Sequence, residues 1–262
     1  MWERPSCPRG SRAHAAFGAA LIPIRDTIPS RRAPFVTWSL IATNVAVFLW
    51  ELTLDPQDLE RLVYNFGLVP ARFGASQGGY WTLLTCIFLH GGWAHVIGNM
   101  WSLWIFGDNV EDVMGRWRFL TFYLLTGVVA GLTHIFVNGG SQVPTVGASG
   151  AIAGVLGAYF VLFPRARIIV VLPILFFPFF FEVPAVLYLL FWFLTNLLSG
   201  TLSGLGPENV QGVAFWAHVG GFGAGVVLHR LFLEPKERRG RRREPDEFGI
   251  EGPWAWRPRR EA

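Results

Sequence analysis

Six apolar runs punctuate this 262-residue sequence, each close to the length that crosses a lipid bilayer. They are Val36–Leu54, Trp93–Val110, Phe119–Val137, Ala148–Phe163, Val183–Gly200 and Gly212–Leu233. A hydrocarbon core about 30 Å thick takes about 20 residues of helix, and a backbone with no water beside it must satisfy its own hydrogen bonds. The runs therefore predict an all-α polytopic membrane protein, a six-helix transmembrane bundle. Residues 33–233 form its embedded domain, between a mobile basic tail (1–32) and an Arg-rich tail (234–262). Only 15% of the residues are charged, against about a quarter in soluble domains. The net charge of +4 is concentrated at the two ends, which suits a cytoplasmic membrane surface and not nucleic acid. Cys7 and Cys86 lie in unlike segments, so no disulfide framework is indicated.

The connections carry their own expectations. No apolar stretch of signal-peptide length follows the first basic residues, so the N-terminus is not read as a cleavable leader. Ile22–Asp26 is read as lying along the interface. Asp55–Leu89 mixes Asp58, Glu60 and Arg61 with Phe66, Leu68, Tyr80 and Trp81. It predicts a partly embedded loop with short amphipathic helices between the first two spans. Ile168–Phe181 is apolar but interrupted by Pro173 and Pro178, and reads as an interfacial or re-entrant connection. With six spans, the N-terminal tail, the 108–118 and 164–167 connections and the Arg-rich tail all fall on the cytoplasmic side. A seventh span at Ile168–Phe181 would put the Arg-rich tail outside.

Polar residues inside a membrane are functional candidates because burying them is costly. Ser149 opens the fourth span and His218 lies a few residues into the sixth, which runs in the same direction. His95 and Asn99, four apart on one helix face, lie near the outer start of the second span. All four are thus expected at one depth, just under the outer surface. Gly147 and Gly150 flank the serine. Gly150 and Gly154 on the fourth span, and Gly221 and Gly225 on the sixth, form two small-residue faces that let helix backbones approach closely. Close approach would bring a hydroxyl to an imidazole, a nucleophile and its general base. No Asp or Glu is placed to orient His218, so a dyad is expected and not a triad. His95 and Asn99, with the N–H groups of Ala148 and Ser149, would then hold the oxyanion. Each feature also has a plainer reading: the glycines as packing faces, Asn99 as interhelical glue, His134 and His229 as structural hydrogen-bonders, His90 as a brace beside His95, and His14 as part of the tail. His90 and His95 are five apart with no nearby carboxylate, so no metal is expected, and no cofactor is implied.

Three short motifs fall in order on the second, fourth and sixth spans: His95-Val-Ile-Gly-Asn99, Gly147-Ala148-Ser149-Gly150, and Ala217-His218-Val219-Gly220-Gly221 with Gly225. Together they resemble the H-x-x-x-N, G-x-S-G and A-H-x-x-G-x-x-x-G motifs of the rhomboid family of intramembrane serine proteases, over about Arg31 to Leu233. The resemblance implies a bacterial six-transmembrane rhomboid fold, with Ser149 as nucleophile, His218 as base, and His95, Asn99 and the backbone as oxyanion hole. It implies a lateral gate on the fifth span around Phe191 and Trp192, and a cap from Thr201–Gln211. The implied partners are transmembrane protein substrates whose helix unwinds near the outer surface, cut after small residues, in a cell membrane with both termini cytoplasmic. Two positions depart from the pattern: Trp81-Thr82 replaces a Trp-Arg pair, and Ala153 replaces an aromatic that packs on the histidine. A non-catalytic relative that binds membrane clients, and a small transporter, are the alternatives. Against the first, both Ser149 and His218 are present; against the second, the halves show no repeat.

Overall fold

The computed structural model describes residues 22–74, 79–174, 177–203, 214–235 and 237. Cys7, His14 and the rest of residues 1–21, the greater part of the cap expected over the site, and nearly all of the Arg-rich tail lie outside the described residues.

Each of the six apolar runs is a helix. They are α1 (Phe35–Glu51), α4 (Trp93–Met114), α5 (Arg116–Asn138), α6 (Ser149–Leu162), α7 (Ala185–Ser203) and α8 (Phe215–Phe232), with α2 (Pro56–Phe66) and α3 (Thr82–Thr85) between α1 and α4. Among the described residues, Arg116–Asn138 and Ala185–Leu202 each hold an 18-residue window apolar enough to cross a membrane, by length and composition alone. Phe35–Glu51 and Ser149–Leu162 are shorter apolar helices. The interior is built from Leu103 and Phe106 of α4, Phe122 and Tyr123 of α5, and Val155 and Tyr159 of α6, all at most 2% exposed. The outside is just as apolar. Phe136 is 90% exposed, Trp117 80% and Val227 72%. Large apolar side chains turned outward in such numbers mark a surface that faces lipid.

Helix α6 has 14 residues, about 21 Å of rise, shorter than a bilayer core. A helix of this length cannot reach both surfaces of such a core. The helix fits between its neighbours because its small residues remove side chains where helices meet. A Cβ on Gly221 would fall on the Gly150 carbonyl oxygen, one on Gly225 on the Gly154 oxygen, and one on Gly157 on the Phe222 oxygen. Helices α6 and α8 are therefore in backbone contact along their length.

The segment between α1 and α4 is folded, as its mixed sequence predicts. Asp55 caps α2, accepting from the N–H groups of Gln57 and Asp58 at 2.9 Å each, with Pro56 at the first position. Leu59, Leu62 and Val63 of α2 turn inward while Asp58, Glu60 and Arg61 face out. With Trp81-Thr82 in place of a Trp-Arg pair, Arg72 ties this loop to itself. Its guanidinium donates to the Tyr64 carbonyl at 2.6 Å and lies 4.2 Å from the centre of the Tyr64 ring.

A three-stranded sheet adds to the helical bundle, in the order β1 (Ile22–Asp26), β2 (Arg167–Ile174), β3 (Phe177–Pro184), antiparallel throughout. One expectation changes here and another gains its form. Residues 22–26, assigned to a mobile tail, form an edge strand. The connection at Ile168–Phe181 is a β-hairpin. Pro173 pairs with Pro178 near its tip, beyond the reach of β1, which stops at Val171. There the missing N–H groups cost no third-strand bonds.

Strand β1 is fastened to the helices by polar contacts. Trp101 donates to the Pro23 carbonyl at 2.6 Å. The Asp26 carboxylate accepts from the Tyr159 hydroxyl at 2.5 Å and from Asn109 Nδ2 at 2.7 Å. Chain entry into α1 is fixed by Glu111 of α4, which accepts from the N–H groups of Val36 and Thr37 at 3.0 and 2.8 Å. It thereby caps a helix whose own N-cap, Pro34, offers no side-chain acceptor. Burial pushes the Asp26 carboxyl up to about 7; the Tyr159 bond opposes this and Asp108 adds to it. The folded protein thus keeps a proton that the unfolded chain releases near 3.8. This contribution to stability is full in acid and is lost as pH rises from about 4 to about 7. The melting temperature in detergent should fall across that window. In Asp26→Asn, uncharged at every pH, the slope should flatten; an unchanged slope would exclude Asp26 as its source.

Candidate active site

The corner between the 139–148 loop and α6 is built on Gly147. Its φ of 124° is a conformation that side chains resist. A Cβ there would lie 2.6 Å from both Cε1 and Nε2 of His95 and 3.5 Å from Asn99 Nδ2. His95 and Asn99 of α4 thus lie directly against the backbone that leads into Ser149. The corner is held from behind: Gly147 donates its N–H to the Cys86 carbonyl at 2.8 Å, and Leu68 and Thr145 exchange both backbone bonds at 2.9 and 2.8 Å. Ala148 is fully buried and gives α6 no side-chain cap. The first N–H groups of the helix stay available to an anion at this corner.

Across from the corner stands α8. Gly150 meets Ala217, whose Cβ would lie 3.8 Å from a Cβ on that glycine; Ser149 and His218 are the chain neighbours of these two residues. The His218 ring is gripped from α7. Its Nδ1 lies 2.6 Å from Asn196 Oδ1, and the Trp192 ring lies against it with centroids 5.6 Å apart. The aromatic support missing at Ala153 is supplied from α7. His218 Nε2 is buried and has no hydrogen-bond partner among the described residues. The Ser149 hydroxyl, on a half-buried residue, is not bonded to it. Such bonds are often long without substrate and tighten when it binds.

The structure thus gathers His95, Asn99, Gly147, Ala148 and Ser149 at one corner and sets His218 on the adjoining helix. His90 stands behind them. Its Nε2 accepts from Asn99 Nδ2 at 3.1 Å, its ring meets that of His95 edge-on with centroids 5.2 Å apart, and its N–H lies 3.3 Å from both Glu51 oxygens. One N–H of the Asn99 amide is thereby fixed, and the same nitrogen lies against the Gly147 backbone. His134 lies 3.0 Å from the Thr145 hydroxyl and 3.3 Å from Asn138 Nδ2, bracing the loop that precedes the corner. Among the described residues, no group of three His, Cys, Asp or Glu side chains is arranged to hold a metal ion. The sequence reading missed Asn196. The available signal was its type, an amide within an otherwise apolar span.

Residues 77–235 match a family model described as "Rhomboid domain". The chain is similar to "Rhomboid protease GluP" of Bacillus subtilis (strain 168), with 40% identity over 126 residues, 48% of this chain and 24% of that protein. It is similar to "Putative rhomboid protease YdcA" of the same organism, with 35% identity over 34% of this chain and 44% of that protein. With "RHOMBOID-like protein 1" of Arabidopsis thaliana it shares 34% identity over 196 residues, 72% of this chain and 46% of that one. The matches span less than half the length of each of these relatives.

Proposed function

The chain belongs to the rhomboid family of multi-pass membrane proteins, and on that premise we propose that it is an intramembrane serine endopeptidase acting on transmembrane protein substrates. The observation that carries this reading is the packing of His95 and Asn99 onto the glycine that leads into Ser149, with a buried, unpartnered imidazole nitrogen on the adjoining helix.

In this reading a substrate helix frays near the outer face of the cell membrane and presents a carbonyl at the Gly147 corner. Ser149 Oγ attacks the carbonyl carbon and its proton passes to His218 Nε2. The oxyanion is held by His95 Nε2–H, the free N–H of Asn99, and the backbone N–H groups of Ala148 and Ser149. The C–N bond breaks, the leaving amine takes the proton from His218, and an acyl group remains on Ser149. Water then attacks the ester with His218 again as base, releasing the acid and restoring the hydroxyl. No metal or cofactor enters. The arginines around the embedded domain favour a cytoplasmic side for both termini.

The test is labelling of purified protein with a fluorophosphonate probe, alongside cleavage of a labelled transmembrane substrate in liposomes. Both are expected. Failure of both, with stable capture of uncleaved membrane clients, would favour a non-catalytic relative. Asn99→Ala removes one oxyanion donor and should lower kcat about 10²- to 10³-fold, with KM little changed. An equal rise in KM instead would make Asn99 a ground-state binding residue.

A further inference from the structure

The hydrogen bond between Asn196 and His218 fixes more than a position. The Asn196 amide has one arrangement open to it. Its Nδ2 donates to the Trp192 carbonyl at 2.7 Å, so its Oδ1 faces the histidine. The reversed amide would set oxygen against oxygen at Trp192. An amide oxygen only accepts, so the ring nitrogen 2.6 Å away, Nδ1, must carry the hydrogen. The proton on one ring nitrogen dictates the state of the other. Nε2 of the neutral ring is therefore the bare nitrogen, and it is the one that is buried and unpartnered among the described residues.

We propose that Asn196 is a positioning residue that holds His218 in its base-competent tautomer, so that a Ser149–His218–Asn196 relay replaces the simple dyad; this rests on the protease reading given above. The same logic operates where Asp or Asn orients the histidine of other hydrolases. Here the orienting group comes from α7. Helix α7 touches His218 through Asn196 and Trp192 while turning Leu187, Phe191, Leu194 and Leu198 outward. The base is thus tautomerically set only while α7 lies against α8. Outward motion of α7 would break the Nδ1–H···Oδ1 hydrogen bond and leave the ring free to exchange between its two neutral tautomers until the helix returns.

The experiment compares full-length wild type, Asn196→Leu, Asn196→Asp and Ser149→Ala in liposomes, with 15N spectra of histidine-labelled protein. The spectra should show His218 with hydrogen on Nδ1 in wild type and a mixture of tautomers in Asn196→Leu. Asn196→Leu should lose about 10- to 100-fold in kcat with KM little changed, within the range for general-base catalysis. Asn196→Asp restores the acceptor and should recover most of the rate. Because a carboxylate also stabilises the imidazolium, the acid limb of its rate profile should move to higher pH, which a packing role would not produce. Wild-type kcat in Asn196→Leu, no recovery in Asn196→Asp, or a His218 tautomer indifferent to residue 196 would overturn the proposal. If Asn196→Leu does not fold, Asn196→Asp and the wild-type spectrum decide. A wild type that neither cleaves nor labels would overturn the protease reading itself, whatever the spectra show.

Discussion

Ser149→Ala should abolish probe labelling and reduce substrate cleavage to background, while leaving the melting temperature within about 1–2 °C of wild type. The two halves of this expectation come from different facts. The chemical loss is expected to be total because, in the proposed mechanism, the hydroxyl is the atom that bonds to the substrate; the oxyanion corner that remains would have no nucleophile to assist. Removing one member of such a catalytic unit commonly costs about as much as removing all of them, on the order of 10⁶ in kcat. The stability is spared because the hydroxyl has no structural duty. Ser149 is half-buried, the α6 N-cap is the preceding alanine, and no side chain caps the helix. Deleting the oxygen leaves no buried donor or acceptor unpaired. Cleavage persisting in a well-folded Ser149→Ala protein would sink the covalent mechanism. A variant that unfolds would instead make the serine a structural residue.

The helices and the corner were legible in the sequence for a physical reason. Each span must be apolar along its length and close its own hydrogen bonds, so its position is a local property of the chain. The observed helices fall within a few residues of the expected runs: Val36–Leu54 against Phe35–Glu51, Ala148–Phe163 against Ser149–Leu162. The grouping of His95, Asn99 and Ser149 was expected from shared depth, shared side and flanking glycines together, and the structure brings His95 and Asn99 against Gly147. The sheet was not legible. An apolar run such as Arg167–Ile174 has no periodicity that separates a buried strand from a helix segment. Its pairing with Ile22–Asp26 spans more than 140 residues of chain, which no local rule reaches. Asn196 was missed for a related reason: its partner depends on how α7 is rotated against α8, and rotation in a helix apolar all round leaves no trace in sequence. The Asp or Glu that would have completed a triad was sought by charge. The group found there is a neutral amide, which spares the bilayer interior a buried carboxylate.

Gly225→Val should cost about 3 kcal/mol or more of stability, at the upper end of what overpacking does, and should take the labelling of Ser149 with it. A side chain at this position meets backbone, since its first carbon would fall on the Gly154 carbonyl oxygen. A carbonyl fixed in a helix cannot rotate aside as the end of a side chain can. The strain is relieved only by driving α8 away from α6, and that displacement carries His218 from Ser149. Gly223→Ala is the control on the same helix: Gly223 is exposed and a Cβ there meets nothing within 4 Å. It should be neutral or stabilising by up to about 1 kcal/mol, the helix-propensity gain of alanine over glycine. Thermal melts of the two variants in one detergent, read beside probe labelling, separate loss of the helix contact from a general intolerance of side chains on α8. If Gly225→Val melts with wild type and still labels, α6 and α8 do not meet backbone to backbone, and the juxtaposition on which the whole site depends is wrong.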